Sequence, residues 1–327
     1  MYKILVTRNL PGKALSKLME KYEVELNTSS VSLSKKEIKE KIKGKQALLC
    51  LLTDTIDREI IDSAGDNLII ISNYAVGYNN IDVEYATYKG IMVTNTPDVL
   101  TETTADLAFG MILTIARRIV EADQFTREGK FKGWEPELLL GSDVYGKTLG
   151  IIGMGRIGKA VAKRATGFNM KLIYYDIQRL PESFEREFNI TYVKLEELLS
   201  QADFITIHLP LLKETHHFIG ERELSLMKPS SYIINTARGA IIDEKALIKA
   251  LKKERIKGAA LDVYEYEPAV PEELKKMSNV LLLPHIGSAT FETRSRMAEI
   301  AVENIILALE GKMPLYILNP QVQEEKT

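Results

Sequence analysis

Three side chains able to move a proton or hold an anion follow short apolar runs in the second half of this sequence. Arg238 lies in Asn235-Thr-Ala-Arg-Gly239, His285 in Pro284-His-Ile-Gly-Ser288, and Glu267 in the loop between them, just after Asp262 and before Pro268. An arginine presents a permanently charged planar fork that can hold a carboxylate and polarise the carbonyl next to it. A histidine can give a proton to a carbonyl oxygen as hydride reaches the carbon, and take it back in the reverse direction. A carboxylate beside that histidine favours the imidazolium, so the acid is present near neutral pH. Each residue has a plainer reading when taken alone. A histidine after an apolar strand commonly caps or fills structure, and Arg238 with Glu267 could form a structural ion pair. Together, at the edge of a predicted dinucleotide crevice, they suit reduction of a 2-keto acid.

The crevice itself is predicted from Thr148-Leu-Gly-Ile-Ile-Gly-Met-Gly-Arg-Ile-Gly-Lys159. An apolar strand runs into Gly153-x-Gly155-x-x-Gly158 and on into Ala160-Val161-Ala162, which reads as helix. Gly153 permits a tight turn, Gly155 lets the backbone approach a pyrophosphate, and Gly158 lets the helix lie close on its strand. The N–H groups at the helix start then face the phosphates. The next strand, Met170–Tyr175, ends at Asp176, placed to accept the adenosine ribose hydroxyls and to repel a 2′-phosphate. The cofactor expected is NAD, with NADH preferred over NADPH, although Arg179 nearby could receive a phosphate.

These groups need a scaffold. A chain of 327 residues is longer than one small core usually serves, so two domains are expected. Apolar residues are 45% and charged residues 27%, with a net charge of −2, which points to neither nucleic acid nor a membrane surface as partner. No apolar run reaches membrane-spanning length and the N-terminus does not read as a signal peptide. With Cys50 as the one cysteine, no internal disulfide can form, which fits a cytoplasmic protein with a buried structural thiol. A Lys-, Glu- and Ile-rich composition hints at a thermophilic source.

Strand and helix alternate over the first hundred residues: strands at Lys3–Thr7, Val24–Leu26, Ala47–Leu52, Leu68–Ser72 and Ile91–Thr94, and helices at Lys13–Lys21 and from the Ser34-Lys-Lys-Glu37 capping box to about Lys43. One long helix is predicted from Thr101 to about Arg127, with a Thr103-x-x-Asp106 cap pattern, followed by an irregular arm to Tyr145 that holds Trp134. From Thr148 the alternation resumes as a doubly wound sheet of about six parallel strands. An apolar helix, Phe291–Leu309, looks buried on more than one side, as a helix between domains would be. Gln321–Thr327 reads as a frayed polar tail. His216 and His217 are adjacent, a spacing that cannot share a helix face, and no metal-ligand spacing occurs elsewhere, so no metal site is expected.

The motifs, in order and spacing, resemble the D-isomer-specific 2-hydroxyacid dehydrogenases, and within them the glyoxylate/hydroxypyruvate reductase branch. The resemblance spans nearly the whole chain. It is carried by Asn73–Asp82, Asn95-Thr-Pro97 with Thr104-Ala-Asp106, Gly153–Gly158, Ile207-His-Leu-Pro210, Asn235–Gly239, Leu261–Glu265 with Glu267-Pro268, and Pro284–Ser288. It implies an α/β protein of two doubly wound parallel-sheet domains: a flavodoxin-like substrate domain from residues 1–98 plus 289–327, and an inserted Rossmann domain from residues 99–288. Arg238, Glu267 and His285 match the family's catalytic trio. Val76 and Gly77 match its substrate-carboxylate loop, with Arg238, His285 and Ser288 also at the substrate. Its cofactor contacts match Gly153, Gly155, Arg156, Ile157, Gly158, Asp176, His208, Leu209, Pro210, Thr236, Ala237, Arg238, Asp262, His285 and Gly287, with Asp262 at the nicotinamide amide. The implied activity is reduction of glyoxylate, hydroxypyruvate or a similar small 2-keto acid. A homodimer is expected from the apolar surface of the long helix and the arm; the resemblance implies that the 125–145 arm embraces the partner, with Trp134 either reaching the neighbour's cleft or serving as a local hydrophobic anchor.

Phosphoglycerate dehydrogenase fits less well, because Cys50–Asp54 lacks a basic residue for a substrate phosphate. A dinucleotide-sensing corepressor on the same fold is the alternative of another class. Such proteins carry longer termini than this sequence does.

Overall fold

The computed structural model describes residues 1–324. The chain divides into two compact units, one from Met1–Leu100 together with Ser288 onward, the other Thr101–Gly287.

The first unit holds a five-stranded parallel sheet: β1 (Lys3–Val6), β2 (Glu23–Leu26), β3 (Ala47–Leu51), β4 (Ile70–Tyr74) and β5 (Met92–Thr94), in the order β2-β1-β3-β4-β5. This is the flavodoxin-like order. Its strands read as continuous apolar runs because both faces are covered. Ile4, Val6, Ala47, Leu49 and Ile70 pack on one side, against the helices Ala14–Lys21 and Phe291–Leu309. Leu5, Leu48, Cys50 and Ile71 pack on the other, against Lys35–Lys41, Arg58–Ala64 and Val83–Tyr88. The capping box at Ser34 forms as read, with Ser34 and Glu37 exchanging hydrogen bonds. Cys50 is fully buried, and burial pushes its thiol well above the ordinary range.

The apolar helix Phe291–Leu309 owes its wide buried face to this sheet. Ser72 donates to the Ala301 carbonyl (2.9 Å) and Tyr74 to the Arg294 carbonyl (2.7 Å). The tail differs from its reading. Gln321–Glu324 is helical and Val322 is buried in the same core, so an apolar anchor holds a segment whose neighbours are polar. The rest of the expected tail, residues 325–327, lies outside the described residues.

The second unit holds seven parallel strands rather than about six: β6 (Thr148–Ile152), β7 (Lys171–Tyr175), β8 (Ile190–Tyr192), β9 (Phe204–Ile207), β10 (Tyr232–Asn235), β11 (Gly258–Leu261) and β12 (Val280–Leu282). Their order is β12-β11-β10-β9-β6-β7-β8, a doubly wound sheet in which the strand order reverses beside β6. Ligands of such sheets bind at the carboxyl ends of the strands near that reversal.

The long helix predicted from Thr101 to Arg127 is two helices, Thr101–Ala116 and Ile119–Arg127. Apolar periodicity runs through the join, but Arg118 is left-handed (φ 54°) and the Ala116 carbonyl accepts from the Ser142 N–H (2.7 Å). The returning arm thus takes the bond that would have continued the helix. Its start also differs. The helix begins at Thr101, which places Thr103 inside it, and Asp106 pairs with Arg164 (2.7 Å) instead of capping.

Candidate active site

The cofactor loop forms where the sequence placed it. β6 ends at Ile152, Gly153 turns with φ 94°, and the helix Arg156–Thr166 starts after Gly155 with no side-chain cap. A Cβ on Gly153 would sit 2.7 Å from the His208 carbonyl oxygen, and one on Gly158 would overlap the Gly153 carbonyl. Those two close approaches exclude any other residue, whereas a Cβ on Gly155 would meet open space. Asp176 stands at the end of β7 beside this loop. One of its oxygens accepts from the Met154 N–H (2.7 Å), the other from the Gln178 N–H (3.3 Å).

Two further loops line the same strand ends. His208, after β9, shares a hydrogen bond with Thr206 (2.9 Å), and desolvation without a charged partner pushes its pKa down to about 3, so the ring is neutral at physiological pH. Leu209 is half-buried and Pro210 exposed beside it. After β10, Asn235 folds its own loop. Its carbonyl oxygen accepts from the Ala237 N–H (3.0 Å) and its amide donates to the Arg238 carbonyl (2.9 Å). Buried Thr236 is left with a hydroxyl that has no hydrogen-bond partner among the described residues. An orphaned buried hydroxyl is costly unless a ligand completes it. With the uncapped helix start and the open space at Gly155, these residues fit a bound dinucleotide.

Arg238, Glu267 and His285 come together at the ends of β10, β11 and β12. Glu267 Oε2 lies 2.8 Å from His285 Nδ1, and Glu267 Oε1 accepts from the Tyr264 N–H (3.0 Å). Burial pushes the Glu267 carboxyl up, but His285, the Tyr264 N–H and the charge of Arg238 together outweigh it and hold the group below the ordinary glutamate range. Half-buried Arg238 donates to the Ala237 carbonyl (2.8 Å); burial pushes its guanidinium down and the Glu267 charge opposes that shift. With a carboxylate on Nδ1, that nitrogen donates, and Nε2 faces away as the atom able to exchange a proton.

Asp262 has a role the sequence did not reveal. It is fully buried, and its two oxygens accept from the Ile286 and Gly287 N–H groups (both 2.8 Å). Its carbonyl accepts from the His285 N–H (2.9 Å), and His285 is left-handed (φ 56°). Gly287 is tied in addition to Thr104, whose hydroxyl donates to its carbonyl (3.1 Å). Two more supports were not read from the sequence. A Cβ on Gly239 would overlap the Tyr264 carbonyl, so only glycine lets the Arg238 loop lie against the Glu267 loop. Tyr264 also donates its hydroxyl to the Leu283 carbonyl (2.8 Å), joining the Glu267 loop to the strand that leads into His285.

Val76, Gly77 and Ser288 belong to the first unit. There the Val76 and Gly77 carbonyls accept from the side-chain amides of Asn95 (2.7 Å) and Asn73 (2.9 Å).

Residues 109–287 match the model of the D-isomer specific 2-hydroxyacid dehydrogenase NAD binding domain. The chain is 52% identical over 322 residues to a glyoxylate reductase of Korarchaeum cryptofilum, covering 98% of this chain and 96% of that one. The chain belongs to the D-isomer-specific 2-hydroxyacid dehydrogenases. A glyoxylate reductase of Thermococcus litoralis is 51% identical over 98% of this chain and 97% of its own. Among solved structures, an NADPH-dependent glyoxylate/hydroxypyruvate reductase of Sinorhizobium meliloti, crystallised with NADP and malonate, superimposes with a TM-score of 0.87 at 31% identity, covering 98% of each chain. This dehydrogenase therefore uses a nicotinamide cofactor, and its relatives from thermophilic archaea agree with the composition. None of its described helices is long and apolar enough to cross a membrane.

The lowered pKa of Glu267 gives its dehydrogenase dyad a pH signature. Stability owed to the carboxylate is fully present above the ordinary glutamate value, about 4.3, and is lost as pH falls through the lowered one. The gap in denaturant midpoint between the wild type and Glu267→Gln should therefore hold steady from about pH 6 to pH 5 and close at lower pH. A gap that persists unchanged at about pH 2 would mean that charge contributes nothing there.

Proposed function

We propose that this dehydrogenase uses NADH to reduce glyoxylate and similar small 2-keto acids, such as hydroxypyruvate, to the 2-hydroxy acids. The observation that carries this reading is the 2.8 Å pairing of Glu267 with His285 Nδ1 in the same strand-end cluster as Arg238. The nicotinamide, when bound, supplies the hydride that adds to the carbonyl carbon. Arg238 holds the substrate and polarises its carbonyl. His285 Nε2 gives a proton to the carbonyl oxygen, and Glu267, paired with Nδ1, fixes the ring's tautomer and orientation. Gly153 to Gly158, with Arg156 and Ile157, receive the pyrophosphate; Thr236, Ala237, Gly287 and His208–Pro210 line the rest of the dinucleotide groove. Asp262 reaches the nicotinamide amide with the acceptor capacity that its two backbone partners leave. In the other unit, the Val76 and Gly77 carbonyls are engaged by Asn95 and Asn73, and the backbone N–H groups of that loop are offered to an anion.

NADH preference rests on Asp176 and on the neutralising of Arg179. Glu185 takes Arg179 through two parallel bonds (2.9 and 2.7 Å) and also accepts from Tyr174 (2.7 Å). The Arg179 pairing is the largest of the influences that hold Glu185 down at about 2. Arg179, three residues past Asp176, is thus already matched. Assembly as a homodimer is supported by the apolar side chains exposed along Ile119–Tyr145, with Trp134 84% exposed and Phe131, Leu140 and Tyr145 each more than half exposed.

Purified protein should oxidise NADH when given glyoxylate or hydroxypyruvate. His285→Gln should cut turnover by about 10² to 10⁴ while NADH still binds, and retention of most activity would refute the proton-donor role. NADH should be preferred over NADPH by at least about tenfold in kcat/KM. Asp176→Ser should erode that preference, and Glu185→Gln, by releasing Arg179, should erode it further; equal use of both cofactors by the wild type would contradict the assignment. Sedimentation at micromolar concentration should give twice the chain mass.

A further inference from the structure

The two histidines that the sequence set aside as unable to cooperate do meet in the structure. His217 is left-handed (φ 51°), so the chain at His216-His217 is a turn and not a helix, and the two rings lie with centroids 4.0 Å apart, tilted by 31°. His217 Nε2 lies 2.9 Å from Glu265 Oε1. One ligand atom from each of His216, His217 and Glu265 falls within 4.8 Å of the other two. We propose that His216, His217 and Glu265 form a binding site for a single divalent transition-metal ion of the zinc or nickel kind, distinct from the catalytic cluster.

The donor set suits that class. Imidazole nitrogen and carboxylate oxygen bind zinc and its neighbours at about 2.0–2.2 Å, so atoms sharing one ion lie within about 4.3 Å of each other. Tetrahedral ligands lie about 3.4 Å apart, so rotation of the exposed His216 and its neighbours must close separations of up to 4.8 Å. Magnesium and calcium prefer all-oxygen sites, which the imidazoles disfavour. Glu265 Oε1 already faces the ring nitrogen of His217, which places two of the three ligand atoms side by side. Its second oxygen is met by the Glu244 N–H (3.4 Å), which orients it from behind. Glu244 lies beside it, its carboxylate accepting from the Glu265 N–H (3.4 Å). His216 is exposed, which leaves the remaining coordination positions to water.

The place of the trio gives the ion a consequence. His217 donates its N–H to the Ala240 carbonyl (2.8 Å), in the turn that follows Arg238, and Glu265 lies in the loop that carries Glu267. An ion would link the His217 turn, and through it the turn after Arg238, to the loop that carries Glu267. Binding to the folded state alone also raises stability by mass action.

Calorimetric titration of the full-length protein with zinc chloride tests the site. One ion per chain is expected, with binding weakened at least tenfold in His216→Gln and in Glu265→Gln, and unchanged in His285→Gln. The thermal midpoint of the wild type should rise with zinc, and that of His216→Gln should not. His216 is exposed and outside the catalytic cluster, so His216→Gln should keep the metal-free activity, which verifies that it folds. No binding by the wild type, equal binding by His216→Gln, or loss of binding only in His285→Gln would overturn the assignment, the last by placing the ion at the catalytic pair.

Discussion

A single buried carboxylate sets the geometry on which the rest of the site depends. Asp262 is excluded from water and accepts two backbone N–H bonds from the turn at Ile286 and Gly287. A buried carboxylate must find such donors, and a turn so held has little freedom. The same residue's carbonyl takes the His285 N–H, which fixes the backbone on both sides of the histidine in a left-handed conformation that a non-glycine residue seldom adopts. Strain of that kind persists where the surroundings over-determine it, and here three hydrogen bonds to one residue do so.

From that fixed turn the remaining parts follow by contact. His285 is aimed at Glu267, Glu267 is held by the Tyr264 N–H, and Tyr264 reaches back to the Leu283 carbonyl. The Arg238 loop can lie against Tyr264 only because residue 239 is glycine, and Asn235 braces that loop from inside. Arg238, Glu267 and His285 are thus carried by three loops, but each loop is tied to a strand end or to its neighbour. Orientation of this order matters because misplacement of about 1 Å can cost a hundredfold in rate.

Much of this was legible in the sequence. The strands of both sheets were readable as apolar runs because helices cover both faces, and the glycine spacing at Gly153–Gly158 located the cofactor loop. Two short helices, Arg58–Ala64 and Val83–Tyr88, went unread, although Asp57 and Asp82 cap them through the Ile60 and Tyr85 N–H groups. Helices of two turns carry too few apolar positions to show a period. The break at Arg118 was hidden for the opposite reason: the apolar period continues across it, and the bond that stops the helix comes from Ser142. The Asp262 brace and the meeting of His216, His217 and Glu265 depend on left-handed residues and on distant loops, neither of which spacing alone can show.

The central claim is that the Asp262 carboxylate places His285 for proton transfer. Its most direct test is the single-turnover rate of NADH oxidation with glyoxylate by Asp262→Asn, both ligands saturating. An amide at this position sets an NH₂ against one of two backbone N–H donors, so it cannot hold the turn as the carboxylate does. The rate should fall by about 10² or more while the variant still unfolds in one cooperative transition. A rate within about threefold of the wild type would show that the turn holds His285 without its carboxylate, and would contradict the account.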